Sequence, residues 1–207
     1  MKRRLKAIVD WVRPGSRIVD IGSDHLIIPN QLIDQGICSL VFATDINPGP
    51  LQAMAVNKDN RNIDIQQSDG LLHFQGDINS AIIAGMGGRL IAQIIEDSLA
   101  RFLALDYVIV QPMQQVEELR EYLMHHFEVV GERLIAEDRK LYHLLLLVPG
   151  RDSYDPVLTK RLAPPEELST YRAYELAKIH HILSQVPPDR QLVLRARMAR
   201  LEELTVV

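Results

Sequence analysis

The residues best suited to chemistry in this 207-residue chain fall just after short apolar runs. Ile18-Val-Asp-Ile-Gly-Ser-Asp-His25 sets Asp20, Gly22, Ser23, Asp24 and His25 at the end of a stretch apolar on both faces, the pattern of a central parallel strand. Gly22 allows a tight turn beside a nucleoside-type ligand. A dinucleotide needs further glycines so that pyrophosphate reaches a helix N-terminus, but those positions hold Asp24 and Ile27. Two carboxylates repel a pyrophosphate. S-adenosyl-L-methionine carries no phosphate and bears ammonium and sulfonium cations, so acids around the same turn attract it. A turn of Asp and Ser also has a purely structural reading, and the later motifs bear on the choice.

Two more acidic corners follow. Residues 40–45 form an apolar run ending on Asp45, placed to accept hydrogen bonds from ribose hydroxyls. The rigid Asn47-Pro-Gly-Pro50 turn would hold Ile46 against an adenine ring. Ile63-Asp-Ile-Gln66 alternates as a strand and leads into Ser68-Asp-Gly70, where Asp69 is a candidate acceptor for the adenine amine. After the apolar residues 80–84, Gly85-Met-Gly-Gly88 offers close backbone access and N–H groups for a carboxylate or a substrate. The Gly-Lys-Ser/Thr ending of a phosphate loop is missing. Arg89 next to it reads as an exposed helix-start residue or a substrate contact. Gln111-Pro112 closes a fifth apolar run: the amide can donate to and accept from a base edge, and the proline stiffens it.

These residues need elements to hold them. Leu5, Ile8, Val9 and Val12 mark one face of a helix over residues 1–13, whose Lys2, Arg3, Arg4 and Lys6 form a solvated end or a phosphate-facing patch. Further helices are predicted from Pro29 to Gly36, from Leu51 to Asn60, around Leu90–Ile95, and over 114–126 with His125 and His126 at its C-terminus. Residues 128–137 and 140–148 read as a terminal hairpin. The expected fold is α/β: a Rossmann-like class I methyltransferase sheet with one strand antiparallel to the rest, over residues 1–150. A linker over 151–168 and a C-terminal α-helical hairpin over 169–207 follow, its helices 169–185 and 189–204 split by Pro187-Pro188. Between residues 169 and 201, six bases (Arg172, Lys178, Arg190, Arg195, Arg197 and Arg200) stand against Glu175 and Asp189. That excess is a solvated helical face or a phosphate-contacting arm.

Composition narrows the class. A net charge of -4 and a pI near 6.0 do not fit a general nucleic-acid binder, so any basic surface must be local. Cys38 is the one cysteine, which leaves no disulfide framework and no zinc cluster, and no metal is expected. The basic N-terminus lacks the apolar core of a signal peptide and no run approaches membrane-spanning length, so a cytoplasmic protein without membrane partners is expected.

Taken together, Arg4-Leu5, Asp20-Ile-Gly-Ser-Asp-His25, Thr44-Asp-Ile-Asn-Pro-Gly-Pro50, Ser68-Asp-Gly-Leu71, Ala84-Gly-Met-Gly-Gly88 and Gln111-Pro112 resemble the bacterial tRNA adenine-22 N1-methyltransferase family over about residues 1–148. The resemblance implies S-adenosyl-L-methionine as cofactor, tRNA as partner, and a helical, coiled-coil-like C-terminal part that helps hold it. Cofactor contacts would then come from Asp20, Gly22, Ser23, Asp45, Ile46, Asp69, Gly70, Gly85 and Met86. Asp24, His25 and Gln111 would form the catalytic, acceptor side. Gly87, Gly88, Arg89, Pro112, Arg190, Arg195 and Arg197 would meet the RNA. The chain departs from the family pattern at His25-Leu-Ile-Ile-Pro29, where His-Ala-Tyr-Leu-Pro is usual, and at Met113, where Asn usually follows Gln-Pro. The modified nucleotide rests on the resemblance; a small molecule or another RNA as acceptor, or a non-catalytic binding module, are the competing readings.

Overall fold

The computed structural model describes residues 1–59, 61–156 and 162–203. Part of the expected linker and the chain's last four residues therefore lie outside the described residues. Seven strands form one sheet: β1 (Ile18–Ile21), β2 (Val41–Asp45), β3 (Ile63–Gln67), β4 (Ser80–Gly87), β5 (Tyr107–Gln114), β6 (Phe127–Glu137) and β7 (Lys140–Pro149). Their order is β3-β2-β1-β4-β5-β7-β6, with β1 to β5 mutually parallel and β7 antiparallel to both its neighbours. The expected hairpin is present, and β7 is the reversed strand, inserted between β5 and β6.

Side-chain alternation sorts the sheet into two faces. Val19, Ile21, Ala81, Ile83, Val108 and Val110 pack with α4 (Gly88–Glu96), α5 (Leu99–Phe102) and α6 (Val116–Leu123). Ile18, Ile82 and Ile109 pack instead with Leu5, Ile8 and Val9 of α1 (Arg3–Trp11) and with Ile28 and Leu32 of α2 (Ile27–Asp34). Met54 of α3 (Pro48–Asn57) covers Ala43 and Ile63. The same period puts Asp20, Ala84 and Gln111, each two residues beyond one of those isoleucines, on the α1 side at the carboxyl ends of β1, β4 and β5. That places polar chemistry under a helix.

Several boundaries differ from expectation. The Pro48-Gly-Pro50 segment is the first turn of α3 rather than a turn before it, because proline's missing N–H is an orphan donor there anyway. Gly85 to Gly87 extend β4 with two register shifts instead of forming a free loop. Gln114 still belongs to β5 and Gln115 takes a left-handed φ of 59°, so α6 starts late and ends at Leu123, leaving His125 and His126 in the turn beyond it.

The C-terminal part is docked on the sheet. Helix α7 (Pro165–Leu183) begins inside the expected linker, with Glu166 and Glu167 suiting the dipole of its first turn. It is followed by a single 3-10 turn, Pro188–Arg190, and α8 (Leu192–Glu202). Leu168, Tyr171, Ile179 and Leu201 form a third core with Leu134 of β6. Glu167 accepts hydrogen bonds from Arg133 Nε at 2.6 Å and from the Leu134 backbone N–H at 2.7 Å. Beneath this contact lies a buried ion pair between Arg120 and Glu132, and Arg120 also donates to the Pro156 carbonyl at 3.2 Å.

Candidate active site

At the carboxyl ends of β1 and β4 a cavity of about 250 Å³ opens between α1 and α2, lined by Arg4, Asp20, Gly22, Ser23, Asp24, His25 and Gly85 among others. Asp20 is 4% exposed. Burial pushes its carboxyl up to about 7, with the nearby Ser23 side chain a weaker, opposing influence. The buried Ser23 hydroxyl itself closes no hydrogen bond of good geometry among the described residues. Asp24 and His25 stand exposed at the mouth, Oδ2 and Nε2 3.2 Å apart.

The loop geometry explains the residue types. Gly22 adopts φ +73° and donates its N–H to the Thr44 carbonyl at 2.7 Å, tying the turn to β2. A Cβ at Gly22 would fall 2.0 Å from Met86 Cε, so the Met86 side chain lies over this turn. Leu26, fully buried, takes a left-handed φ of 55° as the chain enters α2. For a non-glycine residue that is stored strain of the kind found beside ligand sites.

Asp45, Ile46, Asp69 and Gly70 occupy the same edge of the sheet but do not line this cavity. The acids therefore form two groups rather than a single ring. Asp45 Oδ1 accepts the Asn47 backbone N–H at 2.8 Å, and the Ser68 N–H donates to the Asp45 carbonyl at 3.1 Å, binding the second and third corners together. Ile46 is 52% exposed and Asp69 is exposed, while Gly70 is buried against Ile94.

Other expected contacts turn inward. Gln111 is fully buried: its Oε1 accepts from Arg4 Nη1 at 2.8 Å and its Nε2 donates to the Pro112 carbonyl at 2.9 Å. Pro112 is buried too. The expectation that Gln111 offers its amide to a base is corrected, because strand alternation places it beneath α1. A Cβ at Gly88 would sit 2.3 Å from the Gln115 carbonyl oxygen, which accounts for that glycine by packing; Gly87 likewise lies against Gln114 and Gln115. Arg89 makes a two-point ion pair with Glu118, at 2.7 and 3.0 Å, on the surface. Arg197 is spent on Glu117 and Glu175, and Arg195 donates twice to Gln191, while Arg190 is exposed with no ion pair among the described residues. Lys178 and Arg200 also face acids, Glu175 and Asp155. Much of the hairpin's basic excess is thus neutralised within the fold.

A larger cavity of about 490 Å³ lies between α6, β7 and α7, with Met113, Tyr142, Tyr174 and Lys178 on its walls. Sequence reading missed Arg4 as a member of the site. Its signal was present: Arg4 lies four residues before Ile8, on the buried face of α1, where a cation needs a reason. Among the described residues no group of His, Cys, Asp and Glu is arranged to hold a metal ion, and no helix is long and apolar enough to cross a membrane.

Residues 1–145 match the family model described as a methyltransferase domain. The tRNA (adenine(22)-N(1))-methyltransferase of Bacillus subtilis is 32% identical over 165 residues, covering 76% of this chain and 69% of the relative. Among solved structures, Streptococcus pneumoniae Sp1610 in complex with S-adenosyl-L-methionine superposes with a TM-score of 0.85 at 27% identity, covering 99% of each chain. The B. subtilis tRNA methyltransferase TrmK superposes with a TM-score of 0.77 at 26% identity, covering 99% of this chain and 98% of that one.

Proposed function

The chain belongs to the tRNA (adenine(22)-N(1))-methyltransferase family, and from that premise we propose that it transfers a methyl group from S-adenosyl-L-methionine to N1 of adenine 22 in tRNA. The observation that carries this reading is the cavity at the ends of β1 and β4, where the buried carboxyl of Asp20, the buried Ser23 hydroxyl beside it and two left-handed glycines, Gly22 and Gly85, converge. These groups fit the cofactor. Asp20 faces a cation in low dielectric, Ser23 has a hydrogen bond to give, and the glycines let a ligand approach the backbone. Asp45 keeps Oδ2 for the ribose, and Asp69 takes the adenine amine of the cofactor, with Ile46 against its ring.

When bound, the cofactor supplies an electrophilic methyl group on a sulfonium. Adenine N1 already carries a free lone pair at neutral pH, so the protein's task is alignment rather than strong base catalysis. Asp24, at the cavity mouth, offers negative charge where positive charge develops on the target base. The base must leave its stack to reach this mouth. The tRNA lies along the 490 Å³ cavity and the hairpin, with Arg190 on its phosphates; a tRNA substrate puts the enzyme's work in the cytoplasm.

A second reading, another RNA or a small molecule as acceptor, is favoured by one feature: Met113 is 41% exposed at the lip where the family pattern has Asn. Incubation with labelled cofactor and, in parallel, total bacterial RNA or a metabolite extract, followed by mapping of the labelled product, separates them. Label at N1 of adenine 22 supports the first reading, label elsewhere in RNA or in a metabolite the second, and label in neither overturns both.

A further inference from the structure

Hydrogen-bonding capacity at the carboxyl end of β5 is unevenly spent. Gln111 uses its amide inside the fold, on Arg4 and on the Pro112 carbonyl, and the Met113 sulfur lies 3.6 Å from the same amide nitrogen. The next two residues are different. Gln114 is exposed and Gln115 half-buried, both line the 490 Å³ cavity, and neither carboxamide makes a hydrogen bond among the described residues. Gln115 is also held at a left-handed φ of 59°, a costly state for a residue with a Cβ and one that clusters beside ligand sites.

Both amides converge on β4. A Cβ at Gly87 would lie 3.2 Å from Gln115 Oε1 and 3.5 Å from Gln114 Nε2, so the missing side chain there leaves an acceptor and a donor uncovered beside each other. Gly85, two residues earlier, lines the smaller cavity, and Met86 between them lies over the Gly22 turn. The two register shifts of β4 against β5 fall in this same stretch, an irregularity of the kind that re-aims side chains at a site. On the premise of the proposed function, we propose that Gln114 and Gln115 read the Hoogsteen edge of the target adenine, Gln115 Oε1 accepting from the N6 amine and Gln114 Nε2 donating to N7. N1 lies on the other edge of the ring and stays free to attack the methyl group. Guanine presents two acceptors, O6 and N7, to the same pair, which sets adenine apart by roughly tenfold to a hundredfold.

Methyl-transfer kinetics of the full chain test the pair on tRNA transcripts carrying adenine, 7-deazaadenine (no N7 acceptor) or purine (no N6 amine) at the target position. The wild-type protein is expected to favour adenine over 7-deazaadenine at least tenfold in kcat/KM. Gln114→Met is expected to erase that ratio and leave the adenine-to-purine ratio in place, while Gln115→Met lowers the adenine-to-purine ratio at least tenfold and leaves the first. Comparing ratios between proteins cancels the intrinsic reactivity of each ring. Ratios that move in neither variant, or an equal loss on all three transcripts, overturn the proposal. Should the variants lose their melting transition, the wild-type protein decides, since equal use of adenine and 7-deazaadenine overturns it as well. A wild-type protein that binds S-adenosylhomocysteine in calorimetry yet methylates no transcript removes the proposed function and the pair with it, whereas unchanged ratios in active variants leave that function standing.

Discussion

Arg4 and Gln111, 107 positions apart in the chain, meet in one hydrogen bond of 2.8 Å from Nη1 to Oε1. It joins the first helix to the carboxyl end of β5 across the face that also bears Asp20. Replacing Gln111 with Leu keeps the volume roughly constant but strips the guanidinium of this acceptor. The expected cost is about 1–3 kcal/mol in urea unfolding, together with weaker S-adenosylhomocysteine binding. A Gln111→Leu protein with wild-type stability and affinity would contradict the arrangement.

The carboxyl of Asp20 sets a pH dependence of definite sign. Its folded value of about 7 lies above the ordinary 3.8, so between those limits the folded protein holds a proton that the unfolded chain has released. Stability contributed by this group is full below 3.8, falls as pH rises through the window, and levels off above 7. Asp20→Asn is therefore expected to be more stable than wild type at pH 8, by up to about 4 kcal/mol, with the gap closing toward pH 4. Cofactor affinity should move the other way, rising with pH across 7 in the wild type and staying weak and flat in the variant. Melting curves and calorimetry at several pH values check both halves.

The buried Arg120–Glu132 pair ties α6 to β6 under the helical hairpin. Arg120→Met removes the guanidinium from a carboxylate that stays buried, at an expected cost of about 3–5 kcal/mol. The double replacement Arg120→Met with Glu132→Leu is expected to recover most of that loss. Chemical denaturation of both variants is the measurement, and a double variant no better than the single would refute the desolvation argument.

Two arginines of the hairpin should behave differently toward RNA. Arg190 is exposed with no ion pair among the described residues, whereas Arg197 pairs with Glu117 and Glu175. Arg190→Ala is expected to reduce the slope of log affinity for tRNA against log salt by roughly 0.7 to 0.9, the loss of one phosphate contact. Arg197→Ala is expected to lower the melting temperature and leave the slope in place. Filter binding over a salt series distinguishes them.

Gly22 combines φ +73° with Met86 Cε where a Cβ would stand. Gly22→Ala strains the turn and displaces Met86, so cofactor affinity should drop at least tenfold while the sheet, measured by circular dichroism, persists. Normal binding by this variant would show that the turn does not shape the cavity.

The strand sequence and a terminal hairpin with one reversed strand were legible in the chain because each strand is a short apolar run with its own punctuation, and a hairpin follows from two extended runs across Asp138-Arg139; that the reversed strand is β7 comes from the sheet order. Asp20, Gly22, Ser23, Asp24 and His25 were legible as neighbours because they are adjacent in sequence, and the cavity brings them together. Gln111 was misread because its direction depends on which helix covers its face, and period-2 alternation alone does not name that helix. Arg4 was passed over for the same reason in reverse: as one of four bases at a helix start it looked solvated, and only the packing of α1 against Ile18, Ile82 and Ile109 turns it inward. Charge counting failed on the hairpin because Glu117 and Asp155, which neutralise Arg197 and Arg200, lie outside the segment that was counted.

The placement of β7 between β5 and β6 has a consequence for synthesis on the ribosome. Until residues near Leu144 to Leu147 emerge, the apolar strand Val108-Ile-Val110 has β4 on one side and bare backbone donors and acceptors on the other. A nascent chain paused between positions 115 and 140 thus exposes an adhesive edge, and truncations ending in that interval should clump where longer ones stay dispersed.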